Sequence, residues 1–146
     1  MQIQNSITLE AWVYKTSYQN NKLELIVGCQ LDGNNLGGFG YSIHVDGREN
    51  PDGVSDSPSG HIHFQIGSGN NQSWHATNSL TPIPLNEWVY IVATREANSD
   101  GKIYYNGILQ PSHSVDWNGN ISYFGEGHSC PNDECPAEFY IGKQMN

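Results

Sequence analysis

Apolar residues recur at every second position along several short runs, the spacing that turns one side of an extended chain toward a core and the other toward water. In "SITLEAWVY", residues 6–14, Ile7, Leu9, Ala11 and Val13 share one face, and Thr8, Glu10, Trp12 and Tyr14 share the other. "GFGYSIHV" (38–45) sets Phe39, Tyr41, Ile43 and Val45 against Ser42 and His44, and "HIHFQI" (61–66) sets Ile62, Phe64 and Ile66 against His61, His63 and Gln65. "EWVYIVATR" (87–95) is apolar on both faces, which predicts a strand in mid-sheet with both sides covered. That reading puts Trp88, like Trp12, in the core. Asp-Gly pairs beginning at Asp32, Asp46, Asp52 and Asp100, and Asn-Gly pairs at Asn106 and Asn118, separate such runs. These dipeptides reach positive φ at little cost and are strong hairpin signals. "SDGKIYYNG" (99–107) accordingly reads as turn, strand and turn, with Tyr104 and Tyr105 on opposite faces. With no convincing helical period, about eight or nine short strands predict an all-β, two-sheet antiparallel sandwich or jelly roll.

The order of these runs resembles the laminin G-like, concanavalin A-like jelly roll. "SITLEAWVY" resembles the family's first Trp-bearing strand, "LNEWVYIVATREANSDGKIYYNG" its central strand pair, and "AEFYIGK" its late Tyr-Ile-Gly strand. The resemblance implies a single concanavalin A-like domain over residues 1–146. Family members usually start a strand or so earlier and continue past that glycine, whereas this chain stops at "IGKQMN", as a fragment of a longer protein or a boundary variant would. Lectins, glucanases and polysaccharide lyases share the fold, so function has to come from particular residues.

Fifteen acidic residues against six basic ones give a net charge of −9. Without a basic cluster the chain is a poor match for nucleic acid or an anionic membrane. No apolar run approaches the roughly 18 residues of a membrane helix, and "MQIQNSITLE" lacks the regions of a signal peptide. An acidic, turn-rich composition heavy in Asn, Ser and Gly predicts an extracellular or cell-surface domain whose export signal lies outside the chain. Cys130 and Cys135 flank "PNDE" and are expected to form a disulfide, whereas Cys29, in "LELIVGCQ", is expected to be a buried thiol. The spacing of the pair does not suit zinc.

Catalytic patterns are weak. The Glu-x-Asp-x-x-Glu run of the fold's glucanases is absent, Glu10 is the lone acid on its strand, and no nucleophile elbow occurs. His61 and His63 share a strand face, and His44 on the next strand is expected to face the same way. Three imidazoles suit a transition metal, but the Glu ligand that follows His-x-His in the cupin jelly roll is missing, so the three are read as a polar face lining a glycan groove. Calcium is the expected cofactor, because the acidic loops 45–60 and 125–138 offer carboxylate and carbonyl oxygens. Its candidate ligands are Asp46, Asp52 and Asp56, or Asp133 and Glu134, and the resemblance adds that such domains often hold calcium at a loop rim.

Sugar recognition calls for aromatic faces in polar surroundings. Trp74 and His75 in "NNQSWHATN", Trp117 in "SVDWNGN" and Tyr18 beside Asn20 and Asn21 fit that description as loop residues. Asn71 and Asn120 are glycosylation acceptors if a eukaryote secretes the chain. The expected function is therefore a non-catalytic recognition module that binds carbohydrate, or an extracellular protein, through rim loops. A glycoside hydrolase or polysaccharide lyase of the same fold is the alternative, and a structural or adhesive domain the third reading.

Overall fold

The computed structural model describes residues 5–31, 39–49, 58–68, 74–96, 98–115, 121 and 139–142. Its strands are β1 (Ile7–Tyr14), β2 (Leu23–Leu31), β3 (Phe39–Asp46), β4 (His61–Ser68), β5 (Trp74–Pro82), β6 (Trp88–Arg95), β7 (Lys102–Tyr105), β8 (Ile108–Leu109), β9 (Ser112–Val115) and β10 (Phe139–Ile141). They form a four-stranded sheet ordered β1-β6-β7-β8 and a six-stranded sheet ordered β10-β2-β3-β4-β5-β9. Every pairing is antiparallel. The described residues contain no helix. This is the predicted all-β, two-sheet jelly-roll sandwich.

The core lies between the inner faces. Ile7, Val89, Ile91, Ala93 and Ile103 come from the smaller sheet, and Ile43, Val45, Ile62, Phe64 and Ile66 from the larger. On β1, β3 and β4 these are the apolar sets that period-2 spacing picks out, and each buried branched side chain contributes roughly 1.5–3 kcal/mol. Across the core Tyr105 reaches from β7 to β5, its hydroxyl 2.7 Å from Ser79 Oγ and 3.0 Å from the Thr81 carbonyl. Ser79 Oγ also accepts the backbone N–H of Ile62 at 2.9 Å, where the β4–β5 register shifts between His61 and His63. The N–H at the bulge is thus satisfied by a side chain instead of the ladder.

Asn106 (φ 50°) and Gly107 (φ 81°) both take the left-handed conformation between β7 and β8, as an Asn-Gly hairpin requires. Tyr104 and Tyr105 fall on opposite faces, Tyr105 buried and Tyr104 half-buried.

Two expectations are corrected. β6 is central, between β1 and β7, yet only one of its faces is covered: Val89, Ile91, Ala93 and Arg95 are buried while Trp88 is 62% exposed, and Trp12 on β1 is 63% exposed. Apolarity on both faces does not say which face meets the other sheet. Trp74 and His75, read as residues of a polar loop in "NNQSWHATN", lie on strand β5, which is paired on one side with β4 and on the other with β9. Its polar residues are satisfied by neighbours, as in the 2.8 Å contact between Thr77 Oγ1 and Ser114 Oγ.

A cleft at the β1 edge and a buried histidine row

Once β1 and β6 commit their inner residues to the core, their alternate positions must face out. Register then sets Trp12 opposite Tyr90 and Tyr14 opposite Trp88. The Trp12 and Tyr90 rings lie 5.1 Å apart at 33°, and those of Tyr14 and Trp88 5.5 Å apart at 55°. The Tyr90 hydroxyl donates to the Glu10 carboxylate, a bond that pushes the phenol pKa up.

β1 is the edge of its sheet, and beside it opens a cleft of about 500 Å³ lined by Trp12, Tyr14, Lys15, Gln19, Glu24 and Trp88 over a floor that includes Leu25 and Val45. Within it Lys15 Nζ donates to Glu24 Oε1 at 2.6 Å. Glu24 Oε2 is buried and accepts no hydrogen bond from the described residues. The cleft therefore combines three aromatic side chains with a carboxylate oxygen that has lone pairs to spare, an ammonium and an amide. Its volume suits a small-molecule or oligomer-end site. Among the described lining residues Glu24 is the single carboxylate.

A second constellation lies on the six-stranded sheet, on the face opposite Ile43, Val45, Ile62 and Phe64. Ser42, His44, Asp46, His61, His63 and Gln65 occupy it, all buried. Register pairs His44 with His63 and Asp46 with His61. Ring centroids are 6.0 Å apart for His44 and His63, and 6.4 Å for His61 and His63. His44 Nε2 is 2.8 Å from Ser42 Oγ, and the two His63 nitrogens lie 2.6 Å from Asn78 Oδ1 and 2.8 Å from Gln65 Oε1. Asp46 is gripped by Arg48, whose Nη2 donates to Oδ2 at 2.6 Å and whose Nε donates to Oδ1 at 2.9 Å.

Burial, reinforced by the charge of neighbouring His63, holds the His44 pKa down at about 3, and burial lowers that of His61 as well. For Asp46 burial pushes upward, but the hydrogen bonds and charge of Arg48 outweigh it and leave the carboxyl below its usual value. At neutral pH the row thus holds an ionised Asp46 beside neutral His44 and His61. Donor atoms of Asp46, His61 and His63 all lie within 4.8 Å of one another.

The sequence-predicted residues are distributed unevenly over these sites. His44, His61 and His63 share a face as expected, but their burial removes them from any open glycan groove. His75 is not a loop residue: it lies on β5 opposite Ile66 and is buried. Trp74 opens the same strand. Tyr18 is a packing anchor whose hydroxyl donates to the Ile83 carbonyl and whose ring covers Gly60, where a Cβ would fall 2.5 Å from it. Asp46, proposed for calcium, keeps company with imidazoles and a guanidinium instead of an oxygen cage. Cys29 is half-buried on β2, and burial pushes its thiol pKa up. Asp52, Asp56, Trp117, Cys130, Asp133, Glu134 and Cys135 lie outside the described residues.

Sequence reasoning passed over Trp12, Tyr14, Lys15, Glu24 and Trp88. A signal was there for two of them, because the alternation in "SITLEAWVY" already groups Trp12 and Tyr14 with Thr8 and Glu10 on the polar side.

A family model of the laminin G type, described as the concanavalin A-like lectin/glucanases superfamily, matches residues 1–133. No curated protein matches the chain. With the match spanning most of the sequence and the sandwich topology in agreement, the chain belongs to the concanavalin A-like lectin/glucanases superfamily.

Proposed function

We propose that the protein is a carbohydrate-recognition module that seats sugar rings against Trp12 and Trp88 at the β1 edge, in place of the rim-loop platform the sequence suggested. The observation that carries this reading is the pair of indoles, each more than 60% exposed, beside a cleft with a buried acceptor oxygen that none of the described residues uses. Pyranose rings present apolar C–H faces to an indole and hydroxyl donors to a carboxylate. Covering roughly 100 Å² of indole contributes about 2–3 kcal/mol before the costs of association. A small turn of the Glu24 side chain would bring Oε2 to a sugar hydroxyl, with Lys15 and Gln19 as donors alongside. A negative surface suits neutral or cationic glycans over sulfated ones.

An extracellular or cell-surface location goes with this reading, since polymeric glycans are met there. Calcium at the acidic loops, through Asp52 and Asp56 or Asp133 and Glu134, is a separable part of it.

A glycan array probed in buffer, in EDTA, and in EDTA followed by excess calcium tests both parts. Hits among neutral glycans are expected, and their loss in EDTA with recovery in calcium supports the loop cation. Silence across the array contradicts carbohydrate recognition and favours a protein partner. Release of reducing ends from a bound polysaccharide contradicts the non-catalytic reading and points to the glycosidase alternative.

A further inference from the structure

We propose that Asp46, His61 and His63 form a binding site for a divalent transition-metal ion such as zinc, separate from the sugar cleft. The central observation is the geometry of His61. Its Nδ1–H donates to the Pro58 carbonyl at 2.8 Å, so in the neutral ring Nε2 carries the lone pair. That nitrogen is fully buried and has no hydrogen-bond partner among the described residues, and it faces Asp46 Oδ2 across 3.7 Å. Asp46 Oδ2 already accepts from Arg48, so the unsatisfied atom at this contact is the His61 nitrogen, a buried acceptor that a cation beside it would satisfy.

The third donor comes from the same strand face. His61 and His63 are two residues apart on β4, and Asp46 is the β3 partner of His61, so one ladder register brings the three together. In a tetrahedral zinc site, arms of about 2.0–2.1 Å set neighbouring donors about 3.3 Å apart. The 3.7 Å gap, and the 4.8 Å limit on the whole set, lie within reach of small rotamer adjustments.

Each candidate ligand is also held from behind, as metal ligands usually are. Pro58 orients His61 and Arg48 fixes Asp46 through both carboxylate oxygens, while both His63 nitrogens are engaged, with Asn78 and Gln65, so His63 joins a metal by exchanging one of these two contacts for it. Two imidazoles and one carboxylate make a nitrogen-rich donor set, which selects zinc, nickel or copper over calcium. Arg48, half-exposed, marks the side nearest solvent, and its positive charge sets the affinity below that of a site with an unpaired carboxylate.

The test uses protein without a polyhistidine tag, stripped with EDTA and dialysed against zinc or cobalt. One equivalent per chain by elemental analysis, with a melting temperature that rises on loading, is the expected result. His61→Gln and His63→Gln should each lower zinc affinity at least tenfold, while His113→Gln, at an exposed position on β9, should leave it unchanged. Because a buried glutamine can disturb folding, wild-type protein supplies the second readout: long-range ¹H–¹⁵N imidazole spectra should show zinc moving the His61 Nε2 resonance while Nδ1 keeps its proton. The proposal fails if folded wild-type protein takes up no stoichiometric metal, if uptake survives His61→Gln, or if His61 proves doubly protonated at neutral pH.

Discussion

The Trp12 ring on β1 lies 5.1 Å from the Tyr90 ring on β6, on the side of the sheet turned away from the core. Aromatic residues bury more area than any others when a sheet covers them, so an uncovered group of two tryptophans and two tyrosines is surface kept for contact. The consequence is a separation between stability and binding along a single strand. Trp88→Ala is expected to change unfolding free energy by no more than about 1 kcal/mol, the worth of its contact with Tyr14. Ile91→Ala, three residues on and fully buried, is expected to cost about 2–5 kcal/mol. Urea denaturation of the two variants measures the contrast.

Glu24 offers a gentler probe of the cleft. Glu24→Gln keeps the shape and one acceptor but weakens the contact with Lys15, a pair whose side chains are 20% and 15% exposed. Loss of about 1 kcal/mol of stability or less is expected, together with a roughly tenfold weaker glycan association, since a hydroxyl bonded to a charged oxygen is worth about 1.5–3 kcal/mol. Calorimetric titration reads the second quantity and thermal melting the first.

Tyr105 ties the two sheets together and gives the fold an alkaline limit. Burial is the main cause that lifts its pKa to about 12. In the unfolded chain the phenol ionises near its ordinary value of about 10, so above that pH the unfolded state sheds a proton that the folded state keeps. The contribution is complete below pH 10 and is lost as pH rises toward 12, by about 2–3 kcal/mol for this residue. Tyr105→Phe should be about 1 kcal/mol less stable than wild type at pH 8, through the lost bonds to Ser79 and Thr81. By pH 11.5 the gap should close or reverse, as denaturant titrations at the two pH values would show.

Two glycines with the same backbone sign should respond differently to alanine. Gly107 (φ 81°) has open space where a Cβ would sit, so only the left-handed conformation costs, about 1 kcal/mol. At Gly60 (φ 88°) the added carbon would also strike the Tyr18 ring. Gly60→Ala should therefore lose at least twice as much stability as Gly107→Ala, and should free the Tyr18 hydroxyl from Ile83.

Much of this architecture is legible in the chain, for identifiable reasons. Period-2 alternation picks out the side of β1, β3 and β4 that faces the apolar core, and Asn106-Gly107 marks its hairpin, because both are local properties. The meeting of His44 and His63 was also anticipated, since their strands alternate in a matching sense. β5 was hidden because its stability comes from hydrogen bonds to β4 and β9, not from apolar residues of its own. Trp88 is not placed by the sequence, because β6 is apolar on both faces and only the position of the second sheet decides which one is buried. The approach of His61 to Asp46 depends on the β3–β4 register, a relation between residues 15 positions apart across an acidic loop.

The central claim is that Trp12 and Trp88 form the sugar-binding surface, and it is tested most directly by calorimetric titration of wild type, Trp12→Ala and Trp88→Ala with the strongest array ligand. A 10- to 100-fold loss of affinity is expected in each variant, equivalent to about 1.4–2.8 kcal/mol, with the melting temperature lowered by no more than a few degrees. Undiminished affinity in both variants would contradict it.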